Sequence, residues 1–84
     1  MATLSSMKNI GKTIEHKLIS VGVETAEQLR EMGSKQAFHR LKASYPEVCL
    51  VHLYTLQAAI DGIEMDRLSE SVKIELKAYS DSLK

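Results

Sequence analysis

The side chains with the greatest capacity for chemistry in this 84-residue chain are one cysteine and three histidines. No two of the histidines are three or four residues apart, so the helical spacing of a paired metal site is missing. Cys49 and His52 are three residues apart, a spacing that brings a thiol and an imidazole together on one helix. No pattern beside them supplies an oxyanion hole or a nucleotide-binding loop. We therefore predict a non-enzymatic protein without a metal or a cofactor, in which Cys49 is a small buried apolar residue.

A second candidate is the turn Asn9-Ile10-Gly11-Lys12, which precedes an apolar pattern of helical period. It resembles the turn of a helix-hairpin-helix element, in which an apolar residue lies between two glycines. Asn9 stands at the first glycine position, and asparagine can adopt the same left-handed backbone. Amides of such a turn and of the following helix point outward and attract phosphate oxygens. The candidate nucleic-acid-binding residues are Lys8, Asn9, Gly11, Lys12 and Thr13. The open alternative is that the turn only orients two packed helices.

The charge of the chain limits its partners. Eleven basic residues balance eleven acidic ones, whereas a protein that coats DNA carries a positive excess. Any nucleic-acid contact is therefore expected to be local and weak. Residues 34–60 carry three basic residues and one acidic residue, and residues 61–84 carry four basic and six acidic residues. No stretch approaches the roughly 20 apolar residues of a membrane span, and the N-terminus lacks a signal-peptide layout. The sequence predicts a cytoplasmic protein without a membrane partner.

Glycines and one proline divide the chain into short helices that must position these candidates. The apolar pattern predicts a short helix over 4–7 and a second helix over 12–21. Gly22 is predicted to end the second helix as a left-handed cap. Thr25 then opens the third helix, with Gln28 reaching back in a capping box.

The second half of the chain follows the same rules. Gly33 ends the third helix and Ser34 is predicted to cap the fourth, which stops before Pro46 because a residue that precedes proline avoids helical geometry. Pro46 is predicted to begin a fifth helix over 46–61, which is apolar on nearly all sides and therefore central. Gly62 ends it, and Ser69 caps a last helix. The residues predicted to face the core are Ile14, Leu18, Val21, Leu29, Met32, Ala37, Phe38, Leu41, Val72, Leu76, Tyr79 and Leu83.

No alternating strand pattern competes with these helices. The sequence therefore predicts an all-α fold, a compact bundle of five to six short helices with a helix-hairpin-helix-like element. Its length fits one domain over residues 1–84. A faint second copy of the first hairpin is suggested by His16-Lys17-Leu18 and His39-Arg40-Leu41, each of which follows a glycine.

Most of residues 4–83 resembles the C-terminal domain of the TfoX/Sxy family, bacterial proteins linked to competence and DNA uptake. The matching stretches follow the order of the family and are 9–12, 21–25, 29–34, 38–41, 49–56 and 58–63. The resemblance implies a helical, helix-hairpin-helix-like fold and a non-enzymatic role in gene regulation or protein association. Family members with the full layout carry another domain ahead of this one. Few residues precede the hairpin here, so we expect a stand-alone C-terminal domain.

Two functions stay open at this point. The first is a module that binds nucleic acid weakly through backbone phosphates, at the turn that contains Gly11 and Lys12. The second is a protein-interaction module or homodimer, because the apolar residues of the helix over 46–61 can exceed what a small core covers. The hairpin and the family resemblance together favour the DNA-related role.

Overall fold

The computed structural model describes residues 4–83, which form five α-helices joined by short turns. The helices are α1 (Lys12–Ser20), α2 (Ala26–Met32), α3 (Ser34–Ser44), α4 (Leu50–Asp61) and α5 (Glu70–Ser82). Two 3₁₀ turns, Leu4–Ser6 and Met65–Arg67, precede α1 and α5. Residues 4–83 contain no strand, so the predicted all-α fold class is confirmed. Within this range no helix combines the length and the apolar content of a membrane span.

Helix α1 ends in the predicted left-handed cap. Gly22 has a φ of 92°, a backbone conformation that glycine adopts without steric penalty. Its amide donates to the Ile19 carbonyl at 3.1 Å, and the Val23 amide donates to the Leu18 carbonyl at 2.9 Å. These two bonds are the Schellman pattern, which satisfies carbonyl groups that the end of a helix leaves free. Val23 is fully buried, so the cap also directs the chain back into the core.

Two of the predicted N-caps are confirmed. The Thr25 hydroxyl accepts a hydrogen bond from the Gln28 amide at 3.1 Å, and the Gln28 side chain accepts from the Glu24 amide at 2.7 Å. The reaching-back bond of the capping box thus falls one residue earlier than in the usual pattern. Before α5, the Ser69 hydroxyl accepts from the Val72 amide at 3.3 Å. Both hydroxyls satisfy amides at the start of a helix that would otherwise lack an acceptor.

The predicted cap at Ser34 is wrong. Gly33 is the N-cap of α3, and Ser34 is the first residue of the helix. The Ser34 side chain is almost fully buried, and its hydroxyl donates to the Gln57 side-chain oxygen at 2.5 Å. Because a partner on α4 takes this hydroxyl, Ser34 connects two helices and does not cap one.

The predicted start of α4 at Pro46 is also wrong, because the helix begins at Leu50. A helix from Pro46 needs the carbonyls of residues 46 and 48 as acceptors for its own amides. Both carbonyls instead accept from the Lys42 ammonium, at 3.3 Å for Pro46 and 2.8 Å for Val48. The Val48 amide closes a turn onto the Tyr45 carbonyl at 3.0 Å. Lys42 on α3 thus stabilises a non-helical loop over residues 45–49.

The core lies around α4, which packs against α2, α3, α5 and the second 3₁₀ turn. The inner residues predicted from the apolar pattern all lie in this core or pack against its surface. Its largest fully buried side chains are Phe38, Leu4, Leu18, Leu29, Leu41, Leu53, Leu56, Val23 and Val48. Leu4 adds the first 3₁₀ turn to the core, so the hairpin turn that follows is held at both ends.

Candidate nucleic-acid interface

The predicted hairpin turn depends on Asn9. Its φ is 71°, the left-handed region that asparagine tolerates better than most residues with a side chain. The Asn9 side-chain amide also donates to the Ile63 carbonyl at 2.9 Å, which ties the turn to the segment that follows α4. Gly11, by contrast, has an extended backbone with φ −92° and ψ 177°. Asn9 is therefore the residue that turns the chain.

The turn leads directly into an open helix N-terminus. Gly11 is the N-cap of α1, and as a glycine it has no side chain with which to cap this end. The first intrahelical bond runs from the Glu15 amide to the Gly11 carbonyl at 3.0 Å. The amides of residues 12–14 precede that bond, so the helix itself offers them no acceptor. Gly11, Lys12 and Thr13 are exposed, and the helix dipole adds partial positive charge at this end.

The five predicted binding residues divide into two groups. Lys12 and Thr13 line an open groove along α1. Lys8 and Asn9 face the segment after α4, where the Lys8 ammonium lies 3.5 Å from the Glu64 carboxylate. Both side chains of that ion pair are more than half exposed, so the pair is weak and a ligand can replace it. Lys12 is therefore the predicted side chain with the most direct access to an anion at the turn.

The groove contains three residues that the sequence analysis did not select, namely His16, Lys17 and Tyr45. His16 follows Lys12 by four residues and Lys17 follows Thr13 by four, so helical spacing could have placed each beside one of the predicted residues. Tyr45 comes from the loop after α3, and only the tertiary fold brings it to α1. The Lys17 ammonium lies 5.2 Å from the centre of the Tyr45 ring, an attractive cation–π arrangement.

The Cys49–His52 pair forms, but Cys49 does not have the predicted environment. Cys49 is exposed, which makes the prediction of a buried thiol wrong. It is the N-cap of α4, with its sulfur 3.7 Å from His52 Nδ1 and its amide donating to the same nitrogen at 3.2 Å. The pair thus closes the start of a helix. Among residues 4–83, no three His, Cys, Asp or Glu side chains are grouped to hold a metal ion.

The suggested second hairpin differs from the first in its backbone. Gly33 has a φ of 89°, whereas Gly11 has a φ of −92°. Arg40 donates to the Val21 carbonyl at 3.3 Å, at the C-terminal end of α1, and does not line the groove that contains His16 and Lys17. The likeness of the first turn to a helix-hairpin-helix element stays a prediction.

The comparisons with known proteins identify the family. A model of the TfoX C-terminal domain matches residues 1–79, so the chain belongs to the TfoX C-terminal domain family, as predicted. A crystal structure of an uncharacterized protein from Listeria monocytogenes, in a triclinic form, is 44% identical and superposes with a TM-score of 0.95; it covers 98% of this chain and 93% of its own. A crystal structure of a protein of unknown function from the same organism, in a tetragonal form, is 43% identical and superposes with a TM-score of 0.93; it covers 96% of this chain and 99% of its own. No curated protein matches the chain.

Proposed function

We propose that this TfoX C-terminal domain is a non-enzymatic binding module that holds the phosphate backbone of a nucleic acid at the start of α1. One observation carries the proposal: α1 begins at a glycine N-cap that has no side chain, and its first residues open onto a groove lined by Lys12, His16 and Lys17. A DNA-related regulatory role in bacteria, of the kind linked to competence, agrees with the family. The cytoplasm is the compartment in which such a role operates.

The physics of this site predicts the character of the binding. Backbone amides and the helix dipole hold a phosphate oxygen without contacting a base, so the contact positions a strand but reads no sequence. The chain has no net charge, so long-range attraction adds little to the local contact. We therefore expect weak binding, with an affinity that falls steeply as salt is added because condensed counterions are released.

Charge reversal at Lys12 tests the proposal. We expect Lys12→Glu to abolish binding to a labelled mixed-sequence oligonucleotide at low salt, because it places a carboxylate at the helix end that receives the phosphate. Lys12 is exposed, so we expect the variant to keep its circular dichroism spectrum and its free energy of unfolding to within about 0.5 kcal/mol. Lys77→Glu, the same change at an exposed residue of α5, is the matched control and keeps its binding. Unchanged binding in Lys12→Glu rejects the proposal.

A substitution at Gly11 tests the amides without changing charge. Gly11 has the extended backbone usual for an N-cap, and an added Cβ meets nothing within 4 Å. In Gly11→Ser the hydroxyl therefore caps an amide of α1 and stabilises the protein slightly, by a few tenths of a kcal/mol. Because the same amide is then no longer available to a phosphate, we expect weaker oligonucleotide binding from a more stable protein. Binding equal to that of the unaltered chain, at several salt concentrations, would show that the amides do not take part.

The protein-association alternative has less support. It was motivated by the apolar residues of α4. Of the large apolar residues that are exposed within residues 4–83, however, only Val51, which is 54% exposed, lies on α4. Two further exposed apolar residues, Ile19 and Ile74, lie on α1 and α5. Three residues on three helices do not by themselves define an interface patch. A dimer in sedimentation analysis at micromolar concentration, together with no oligonucleotide binding, would favour this alternative.

A further inference from the structure

One lysine of the groove is already paired with an anion that belongs to the protein. The Lys17 ammonium lies 3.8 Å from the Glu47 carboxylate. The same ammonium makes the cation–π contact with Tyr45. Tyr45 is fixed to α1, since its hydroxyl lies 2.7 Å from the Ser20 hydroxyl. The Lys17 side chain is 22% exposed and the Glu47 side chain 65% exposed. The lysine is thus held in place by the fold, whereas the carboxylate can turn away into solvent.

Lys17 lies more than one helical turn along α1 from the end that would hold the first phosphate. An α-helix rises about 1.5 Å per residue, so position 17 is about 7.5 Å along the axis from position 12. A single phosphate held by the amides does not span this distance, but the next phosphate of the same strand can. His16 lies between the two positions and lines the same groove. The groove therefore has the length for two linked phosphates.

We propose that His16 and Lys17 form a second phosphate subsite, and that Glu47 occupies this subsite while no ligand is bound. The inference rests on the proposed function and adds the class of ligand, a strand with at least two linked phosphates. An exposed ion pair contributes little to stability, so a phosphate tethered at the first subsite displaces Glu47 at its high effective concentration. An isolated phosphate lacks this tether, so at Lys17 it replaces the Glu47 carboxylate with another anion and gains little free energy. Glu47 thus selects polynucleotides over small anions.

The chain contains a matched control for this arrangement. Lys35 on α3 lies 2.6 Å from the Glu75 carboxylate and 5.7 Å from the centre of the Tyr79 ring. Lysine, glutamate and tyrosine therefore make the same two kinds of contact as in the groove, an ion pair and a cation–π contact. The Glu75 side chain is 64% exposed, like that of Glu47. Replacing either glutamate changes the net charge of the protein equally, but only Glu47 faces the proposed ligand.

Glu47→Gln in the full chain tests the subsite with labelled single-stranded and duplex oligonucleotides of mixed sequence. We expect oligonucleotide binding to tighten about two- to fivefold at low salt, the value of one exposed ion pair. The slope of log affinity against log salt should steepen by at most about 0.9, because no displaced carboxylate then takes up a cation when the strand binds. Glu75→Gln should bind like the unaltered chain. Inorganic phosphate should compete poorly with the oligonucleotide for the unaltered chain.

Each contrary result has a distinct meaning. Equal affinities for Glu47→Gln and the unaltered chain, with binding still lost in Lys12→Glu, overturn the second subsite and leave the proposed function standing. An equal gain in Glu75→Gln reduces the effect to net charge and overturns the subsite as well. Strong competition by inorganic phosphate overturns the preference for linked phosphates. If neither the unaltered chain nor Glu47→Gln binds an oligonucleotide at low salt, the proposed function and the subsite both fall.

Discussion

Phe38→Ala is expected to destabilise this domain by about 3–5 kcal/mol, the usual effect of removing a buried phenyl ring and leaving a cavity. Phe38 is fully buried on α3 and is among the largest side chains of the core. A chain of 84 residues has a total stability of only about 4–13 kcal/mol. The variant should therefore unfold at a much lower temperature, with a shift of about 4–8 °C for each kcal/mol. Thermal and urea unfolding followed by circular dichroism measure the change.

Two controls separate cavity formation from a general loss of apolar surface. Phe38→Leu keeps most of the volume and should destabilise by less than about 1.5 kcal/mol if its neighbours repack. Ile74→Ala removes a large apolar side chain that is 65% exposed, so it should change stability by no more than about 0.5 kcal/mol. A Phe38→Ala variant as stable as Ile74→Ala would mean that α3 does not pack on the core as described.

The sequence was sufficient for most of the fold because its signals are local. Glycine-terminated apolar segments predicted the helices, and the caps at Thr25 and Ser69 formed as expected, since a cap needs only residues within one helical turn. The inward position of Phe38 followed from the 3.6-residue period. The family resemblance used the same stretches and was also confirmed. Local chemistry and global packing agree over these segments, which is typical of natural sequences.

The predictions failed where a distant side chain decides local structure. Pro46 is a favourable first residue of a helix, but the Lys42 ammonium donates to the carbonyls of residues 46 and 48, and the helix begins later. This delay places Cys49 at the exposed start of α4. Serine is a common N-cap residue, but the Ser34 hydroxyl donates a hydrogen bond to the Gln57 side chain on α4. None of these partners can be identified from helical periodicity.

Only part of the candidate site could be predicted from the sequence. The turn at Asn9, the open amides and Lys12 follow from local sequence, because a turn and the helix after it are contiguous. The groove beyond them depends on the loop over residues 45–49, which approaches α1 only after α3 has packed. Glu47 and Tyr45 therefore could not be connected to Lys17 in advance. Under our proposal the selection of linked phosphates depends on Glu47, and only the tertiary fold brings this residue to Lys17.

The second large effect is expected at Gly33, where α2 and α3 share one residue. Gly33 ends α2, where its amide donates a hydrogen bond to the Leu29 carbonyl at 2.9 Å, and it precedes α3 directly. Its φ of 89° and ψ of 156° lie in a region that residues with a side chain rarely enter. We expect Gly33→Ala to destabilise by about 1–3 kcal/mol. The same unfolding measurements as for Phe38→Ala apply.

Gly11→Ala is the matched comparison for this prediction, because at either position an added Cβ meets no atom within 4 Å. The two substitutions therefore differ in backbone geometry and hardly in packing. Gly11 has a φ of −92°, which alanine adopts freely, so we expect a change within about 1 kcal/mol, as the poorer cap and the stiffer unfolded chain oppose each other. Similar losses at both positions would contradict a backbone origin. A loss confined to Gly33 would show that the cost comes from the backbone conformation of this residue.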